Sequence, residues 1–229
     1  MQPIERPKSL ANSVVERLRL SIIQGDLALG QPLSERQLAL TLGVSKTPVR
    51  EALAQLRVEG LVHILPQRGA VVFTLSAREV INMCELRLTL ESAALRLAFT
   101  RSPERLIQGL NHCVQVMETA RFAKDSRGYL DADTAFHQVF FSACGNPLLA
   151  DAYDMHVGKI AAVRTHLAVK PLHTERSFQE HREILDLLQK HDIERTLKVL
   201  DTHVERTKTT YGETVEDIAA ADNTNEAVA

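Results

Sequence analysis

The stretch GVSKTPVREALAQLRVEGL, residues 43–61, decides the fold of the first part of the chain. Its apolar residues recur at the spacing of one buried helical face: Val49, Ala52, Leu53 and Leu56. Ser45 stands where a helix N-cap is expected, and Pro48 falls in the first turn, where backbone amides lack a partner within the helix. The pattern predicts a helix that is capped by Ser45 and whose first polar residues face away from the core.

The segments on either side of this helix complete a recognisable order of elements. LSERQLALTLGVS (33–45) predicts a shorter helix, because Ser34 and Gln37 have capping-box spacing and glycine commonly ends helices. Another helix is expected over 10–24. After Gly60, two β-branched runs flank the basic tip PQRG, which indicates a hairpin. Three helices and a hairpin predict a winged helix-turn-helix, the alternative being a small helical core with a solvated charged face.

The run over about residues 10–74 resembles the winged helix-turn-helix of the GntR family of bacterial transcription regulators, most densely in LSERQLA, VSKTPVREAL and EGLV. The resemblance implies binding to double-stranded operator DNA through the two helices and the hairpin tip, with these contact residues: Arg36, Ser45, Lys46, Thr47, Arg50, Arg68 and Gly69. The family usually has arginine at the position of Lys46. Lysine cannot present a bidentate fork, so we expect altered base readout there.

Composition and charge place the chain among cytoplasmic two-part proteins. Its 229 residues are 45% hydrophobic and 24% charged, which is ordinary for a globular protein. We expect neither a membrane span nor a secretory signal, because long apolar runs are absent. Three scattered cysteines suit a reducing compartment. Residues 1–75 carry an excess of positive charge, whereas the remainder is acidic and holds eight of the nine histidines.

These patterns predict a mainly α protein in three segments. Residues 7–75 form the winged helix-turn-helix, and residues 76–215 form an all-helical antiparallel bundle of about six helices that binds metal and effector. The boundaries between these helices are marked by proline, glycine and capping residues. Residues 216–229 are acidic and lack aromatic residues, so we expect this tail to be disordered.

Four ionisable residues of the second part occupy helix positions where the pattern calls for apolar residues: Asp133, His137, His181 and His203. Burying such groups without partners costs several kcal/mol each. A divalent metal would satisfy all four at once, and Asp133 and His137 project side by side one turn apart. The alternative is a set of separate core histidines, each bonded to a backbone carbonyl or a carboxylate.

The segments DADTAFHQVFF…GNPLL, QEHREILDLL and TLKVLDTHV resemble the helical effector-binding domain of the FCD branch of GntR regulators. In that branch an aspartate and three histidines, matching the four residues above, bind a metal. The resemblance therefore implies a metal cofactor, and this donor set accepts zinc, nickel, manganese or iron.

An open coordination position beside buried cations suggests a small organic acid as the effector. Arg87 and Arg164 lie on apolar helix faces, and either could clamp a carboxylate bidentately. Arg87 could instead pair with Glu91 one turn away. Asn146 matches the family's asparagine after the Asp-His helix, and we expect it mainly to order that turn.

The sequence thus predicts a homodimeric, ligand-responsive transcription regulator that reads a palindromic operator and is not an enzyme. Two alternatives remain open at this stage. The metal itself could be the signal, or the histidines could activate water in a metal-dependent hydrolase. Against the hydrolase, no further carboxylate or histidine is spaced as its general base.

Overall fold

The computed structural model describes residues 9–65, 69–168 and 171–226, and the chain divides into two compact units, Met1–Thr74 and Leu75–Ala229. The division falls next to the boundary expected after residue 75. Each unit has its own hydrophobic core.

The first unit has the predicted order of three helices and a hairpin. Its elements are α1 (Leu10–Ile23), β1 (Pro32–Leu33), α2 (Glu35–Leu42), α3 (Lys46–Val58), β2 (Val62–Leu65) and β3 (Gly69–Val72). The strands form an antiparallel sheet in the order β1-β3-β2, in which Leu33 pairs with Ala70 and His63 with Val71. The two-residue strand β1 is an addition that the sequence did not predict.

The predicted apolar face of α3 forms the centre of this unit. All four of its apolar residues are at most 3% exposed, and α3 packs against α1. Gly43 ends α2 in the left-handed conformation, with φ of 65°. Ser34 caps α2 by accepting a hydrogen bond from the backbone N–H of Gln37 at 3.3 Å. Ser45 occupies the N-cap position of α3, but its hydroxyl makes no capping hydrogen bond, so that part of the prediction is wrong.

The second unit is a helical bundle. Its elements are α4 (Ala77–Arg101), α5 (Pro103–Phe122), α6 (Ser126–Ala143), α7 (Pro147–Leu167), α8 (Pro171–Gln189) and α9 (Ile193–Glu226). Within its described residues these six helices occur without a strand, as predicted. Helix α6 packs against α4, α5 and α7, and α9 packs against α4 and α8. No helix in the described part of the chain is long and apolar enough to cross a membrane.

The end of the chain differs from the expected disordered tail. Helix α9 continues to Glu226, so most of the segment 216–229 is helical in its backbone. The physical reason is local: the segment after Gly212 contains several alanines and glutamates, which favour helix, and neither glycine nor proline.

Helix α4 begins with a capping box. The Ser76 hydroxyl accepts a hydrogen bond from the Glu79 N–H at 3.3 Å, and the Glu79 carboxylate accepts one from the Ser76 N–H at 2.8 Å. Ser102 is the N-cap of α5, but its side chain makes no capping hydrogen bond.

We therefore expect Ser76→Ala to lower the free energy of unfolding by about 1 kcal/mol, because the first turn of α4 loses its cap. Ser102→Ala is the matched control and should cost clearly less. Chemical denaturation followed by circular dichroism measures both values. Equal losses in the two variants would contradict the capping role of Ser76.

Candidate metal centre and DNA-binding surface

Three histidines from three different helices meet inside the bundle. His137 lies on α6, His181 on α8 and His203 on α9, and each is at most 2% exposed. One ring nitrogen from each of them lies within 4.8 Å of the other two. The Nε2 atoms of His137 and His181 are 3.3 Å apart. Three imidazole nitrogens at this separation can coordinate one metal ion together.

Asp133 lies at the edge of this histidine cluster, one turn before His137 on α6. Its Oδ1 is 3.7 Å from His181 Nε2 and accepts a hydrogen bond from Ser177 Oγ at 3.4 Å. Its Oδ2 forms a buried ion pair with Nη1 of Arg164 on α7. The structure thus brings Asp133 beside the histidines, with one carboxylate oxygen facing them and the other held by Arg164.

Arg87 of α4 makes the ion pair with Glu91 that the sequence offered as one alternative, and it also contacts two of the histidines. Its Nε donates to Glu91 Oε1 at 2.6 Å, which is the one-turn ion pair. Its Nη2 also lies 2.9 Å from His137 Nε2, 3.3 Å from His137 Nδ1 and 3.3 Å from His203 Nε2. Arg87 is 1% exposed, so these partners, and not water, stabilise its positive charge.

Two carboxylates orient the histidines: Glu91, which the sequence indicated only as a partner for Arg87, and Glu180, which it did not single out. Glu91 Oε2 is 2.8 Å from His137 Nδ1, and Glu180 Oε2 is 2.8 Å from His203 Nδ1. Arg206 in turn donates from Nε to Glu180 Oε1 at 3.0 Å. A carboxylate bound to Nδ1–H leaves the Nε2 lone pair free to face the cluster, which is the usual arrangement around histidine metal ligands. In the sequence, Glu91 could be noticed because it lies on the predicted apolar face of α4. No comparable feature of the sequence points to Glu180.

The environment keeps the three imidazoles neutral. Burial lowers the pKa of His181 to about 4, against an opposing effect of Asp133. Burial and neighbouring positive charges also hold the pKa values of His137 and His203 well below their usual value. Burial by itself raises the pKa of Asp133, but the Arg164 guanidinium and the three neighbouring histidines together lower the pKa of this carboxyl below its usual value. Neutral imidazole and ionised carboxylate are the forms that bind metals.

Several buried polar atoms next to this cluster have no hydrogen-bond partner among the described residues: Arg164 Nε, Arg164 Nη2, Tyr153 Oη and His181 Nδ1. Leaving a buried donor unpaired costs about 1–3 kcal/mol. The ring of Tyr153 stacks on Phe141, with centroids 4.1 Å apart, so its position is fixed by packing. The unused face of the Arg164 fork is suited to receive an anion.

Asn146 is placed differently from the two arginines. It is the N-cap of α7, where its Oδ1 accepts a hydrogen bond from the Leu149 N–H at 3.4 Å. Its backbone also contacts the Cys144 sulfur in the preceding turn. These contacts give it the turn-ordering position that the sequence indicated, and its role toward an effector stays a prediction.

The predicted DNA-contact residues of α2 and α3 lie at the surface. Arg36, Ser45, Lys46, Thr47 and Arg50 are all exposed. Arg50 Nη2 pairs with Glu35 Oε2 at 2.8 Å, which joins the beginning of α2 to the first turns of α3. Gly69 begins β3 with φ of 79°. Arg68 lies outside the described residues.

Comparison with known proteins agrees with this two-part architecture. Residues 10–72 match the family model "Bacterial regulatory proteins, gntR family", and residues 82–206 match the FCD domain. The chain belongs to the GntR family. It is a DNA-binding transcription regulator with an FCD domain, and its family and relatives are regulators rather than enzymes.

Similar proteins cover nearly the whole chain. The transcriptional repressor RspR of Escherichia coli (strain K12) is 28% identical over 200 residues, which is 87% of this chain and 88% of the relative. The repressor NanR of Cronobacter sakazakii is 28% identical over 89% of this chain and 85% of its own length. The crystal structure of a GntR regulator from Rhodococcus sp. RHA1 matches with a TM-score of 0.75 at 22% identity, over 87% of this chain and 95% of that one. This structural likeness supports the fold.

Proposed function

We propose that this GntR-family regulator changes its affinity for operator DNA when a small carboxylate binds at or beside a divalent metal in the FCD domain. One observation carries the proposal. The bundle buries three neutral histidines with converging nitrogens, and Arg164, which is paired with the neighbouring Asp133, has unpaired donors. A structural domain has no need of such a group, since apolar residues would fill the same volume without a desolvation cost.

The residues of the cluster fit a metal. His137, His181 and His203 would supply nitrogens and Asp133 an oxygen, a mixed set that suits zinc, nickel, manganese or iron. The carboxylate partners of His137 and His203 already select the tautomer that metal binding requires. When bound, the metal would supply positive charge and open coordination positions for an oxygen ligand. One solved protein with the same fold is described as a metal-free FCD domain, which is in line with metal binding in this domain type.

The effector is a small carboxylate, because the unpaired groups beside the cluster are donors. Arg164 keeps Nε and Nη2 unpaired while Nη1 holds Asp133, so it can bind a second carboxylate without giving up the first. The Tyr153 hydroxyl provides a further donor nearby. Arg87 is the other cation of the cluster, and Asn146 remains a more distant candidate.

DNA is bound by the winged helix-turn-helix, with the first turns of α3 in the major groove. A homodimer would read two half-sites of a palindromic operator about one helical turn apart. The residues in contact are the exposed group on α2 and α3 described above, with Arg68 and Gly69 from the wing. The effect of effector on operator affinity is a coupling free energy, typically about 1–3 kcal/mol.

Arg50→Ala should weaken specific DNA binding, because the exposed guanidinium of α3 is expected to bond to a guanine or a phosphate in the groove. The probe is DNA selected by the wild-type protein from a random pool, with affinity measured by fluorescence anisotropy. We expect at least a roughly tenfold loss, with the metal content unchanged.

Arg96→Ala is the matched control, since Arg96 is an exposed arginine in an ion pair with Glu194, but it lies in the FCD domain. It should leave DNA affinity unchanged. Equal affinity of the Arg50→Ala variant and the wild type would contradict the placement of α3 in the groove.

Arg164→Met should weaken carboxylate binding by roughly 10- to 100-fold, the value of a hydrogen bond to a charged group. The measurement is the thermal shift of the metal-loaded protein titrated with citrate, succinate and malonate, with sulfate as the non-carboxylate control. In this assay Arg96→Ala should respond like the wild type. A set of carboxylates that stabilises neither the wild type nor any variant would refute the effector class.

A further inference from the structure

The guanidinium of Arg87 occupies the side of the histidines that a metal would need. Its Nη2 is 2.9 Å from His137 Nε2 and 3.3 Å from His203 Nε2. A guanidinium has donors and no acceptor, so at Nε2 it can bond only to a lone pair of the imidazole, and at His137 it lies beside both ring nitrogens, 3.3 Å from Nδ1. Coordination of a metal uses the same lone pair.

The tautomers of the two histidines follow from their partners. Glu91 and Glu180 are carboxylates that only accept, and they face the Nδ1 atoms of His137 and His203. Arg87 only donates, and its Nη2 lies nearer to Nε2 than to Nδ1 of His137 and also faces Nε2 of His203. Protons on both Nδ1 atoms and lone pairs on both Nε2 atoms therefore satisfy the two carboxylate contacts and the two Nε2 contacts of Arg87, and the 3.3 Å approach of Nη2 to His137 Nδ1 is then a contact without a hydrogen bond. This is also the tautomer that a metal bound through Nε2 requires.

Arg87 is held in this position by its own carboxylate. Glu91 accepts from Arg87 Nε at 2.6 Å through Oε1 and meets His137 Nδ1 through Oε2, so one buried carboxylate fixes both the guanidinium and the imidazole. Both Arg87 and Glu91 are at most 1% exposed. His181, by contrast, has its described hydrogen bond with His137 rather than with Arg87.

We propose that Arg87 acts as an internal competitor for the metal, which must displace Nη2 from His137 and His203 before it can bind all three histidines. This inference rests on the metal site proposed above. A metal and the guanidinium cannot share the two lone pairs, and their positive charges repel each other strongly in a buried site.

Displacement has a consequence for the effector. Once Nη2 leaves the histidines, its donors have no partner there, while Nε can remain on Glu91. The released guanidinium then becomes a second carboxylate-binding group in the same cluster as Arg164. With a metal bound, Arg87 and Arg164 would thus both offer donors to a carboxylate beside the histidines.

Two substitutions of Arg87 separate competition from simple charge repulsion. Arg87→Lys keeps the charge and can still bond to Glu91, but its ammonium ends one bond short of the Nη2 position. Arg87→Met removes both the charge and the donors. The full-length protein is stripped with a chelator and titrated with Ni²⁺ against a chromophoric chelator, and the fold of each stripped variant is checked by circular dichroism.

We expect both variants to bind Ni²⁺ roughly tenfold or more tightly than the wild type, the equivalent of one hydrogen bond to a charged group. The control Arg96→Lys should bind like the wild type. Arg87→Lys keeps the buried ion pair with Glu91. If Arg87→Met does not fold, the Ni²⁺ affinity of Arg87→Lys is compared with that of the wild type alone.

Three outcomes would overturn the inference. Unchanged or weaker Ni²⁺ binding in folded variants, beside normal binding in the wild type, would mean that Arg87 supports the site instead of competing for it. Tighter binding in Arg87→Met alone would assign the effect to charge. Absence of Ni²⁺ binding from wild type and variants alike would refute the metal site itself, and the inference with it.

Discussion

The burial of charge inside the helical unit is the constraint on which the rest of its structure depends. Two arginines, two carboxylates and three histidines are almost fully removed from water: Arg87, Arg164, Glu91, Asp133, His137, His181 and His203. Each buried charge needs a partner at hydrogen-bond distance, because an unpaired one costs several kcal/mol. Helices α4, α6, α7, α8 and α9 each contribute a partner, so their packing is fixed by the same contacts that build the site.

The same buried charges belong both to the packing of the helices and to the candidate binding site. Replacing buried ion pairs with apolar residues is often neutral or stabilising, so stability alone is a weak reason to keep them. A binding site is a stronger reason, since a ligand can use the charges that the fold holds in place. The unpaired donors of Arg164 and Tyr153 support this interpretation, because they are the atoms that the fold itself leaves unsatisfied.

The sequence predicted the elements well and the partners of the site only in part. The period of the apolar residues on α3 and the capping boxes are local signals, so helices, hairpin and core faces could be read directly. The convergence of His137, His181 and His203 could be suspected because all three interrupt apolar faces. The role of Glu180 could not be predicted from the sequence, because it depends on how α8 packs against α9. The hydroxyl of Ser45 and the helical end of α9 were misjudged, since a cap position does not ensure a capping bond and acidic composition does not exclude a helix.

The most direct measurement is the metal content of untagged protein purified without chelators, determined by inductively coupled plasma mass spectrometry. The wild type is compared with His181→Ala/His203→Ala and with His63→Ala/His112→Ala, a matched pair of exposed histidines. About one metal ion per chain in the wild type and in the exposed pair, with little in the buried pair, is the predicted result for a site closed by three histidines. Equal metal content in all three proteins, or none in the wild type, would contradict a metal centre at these histidines.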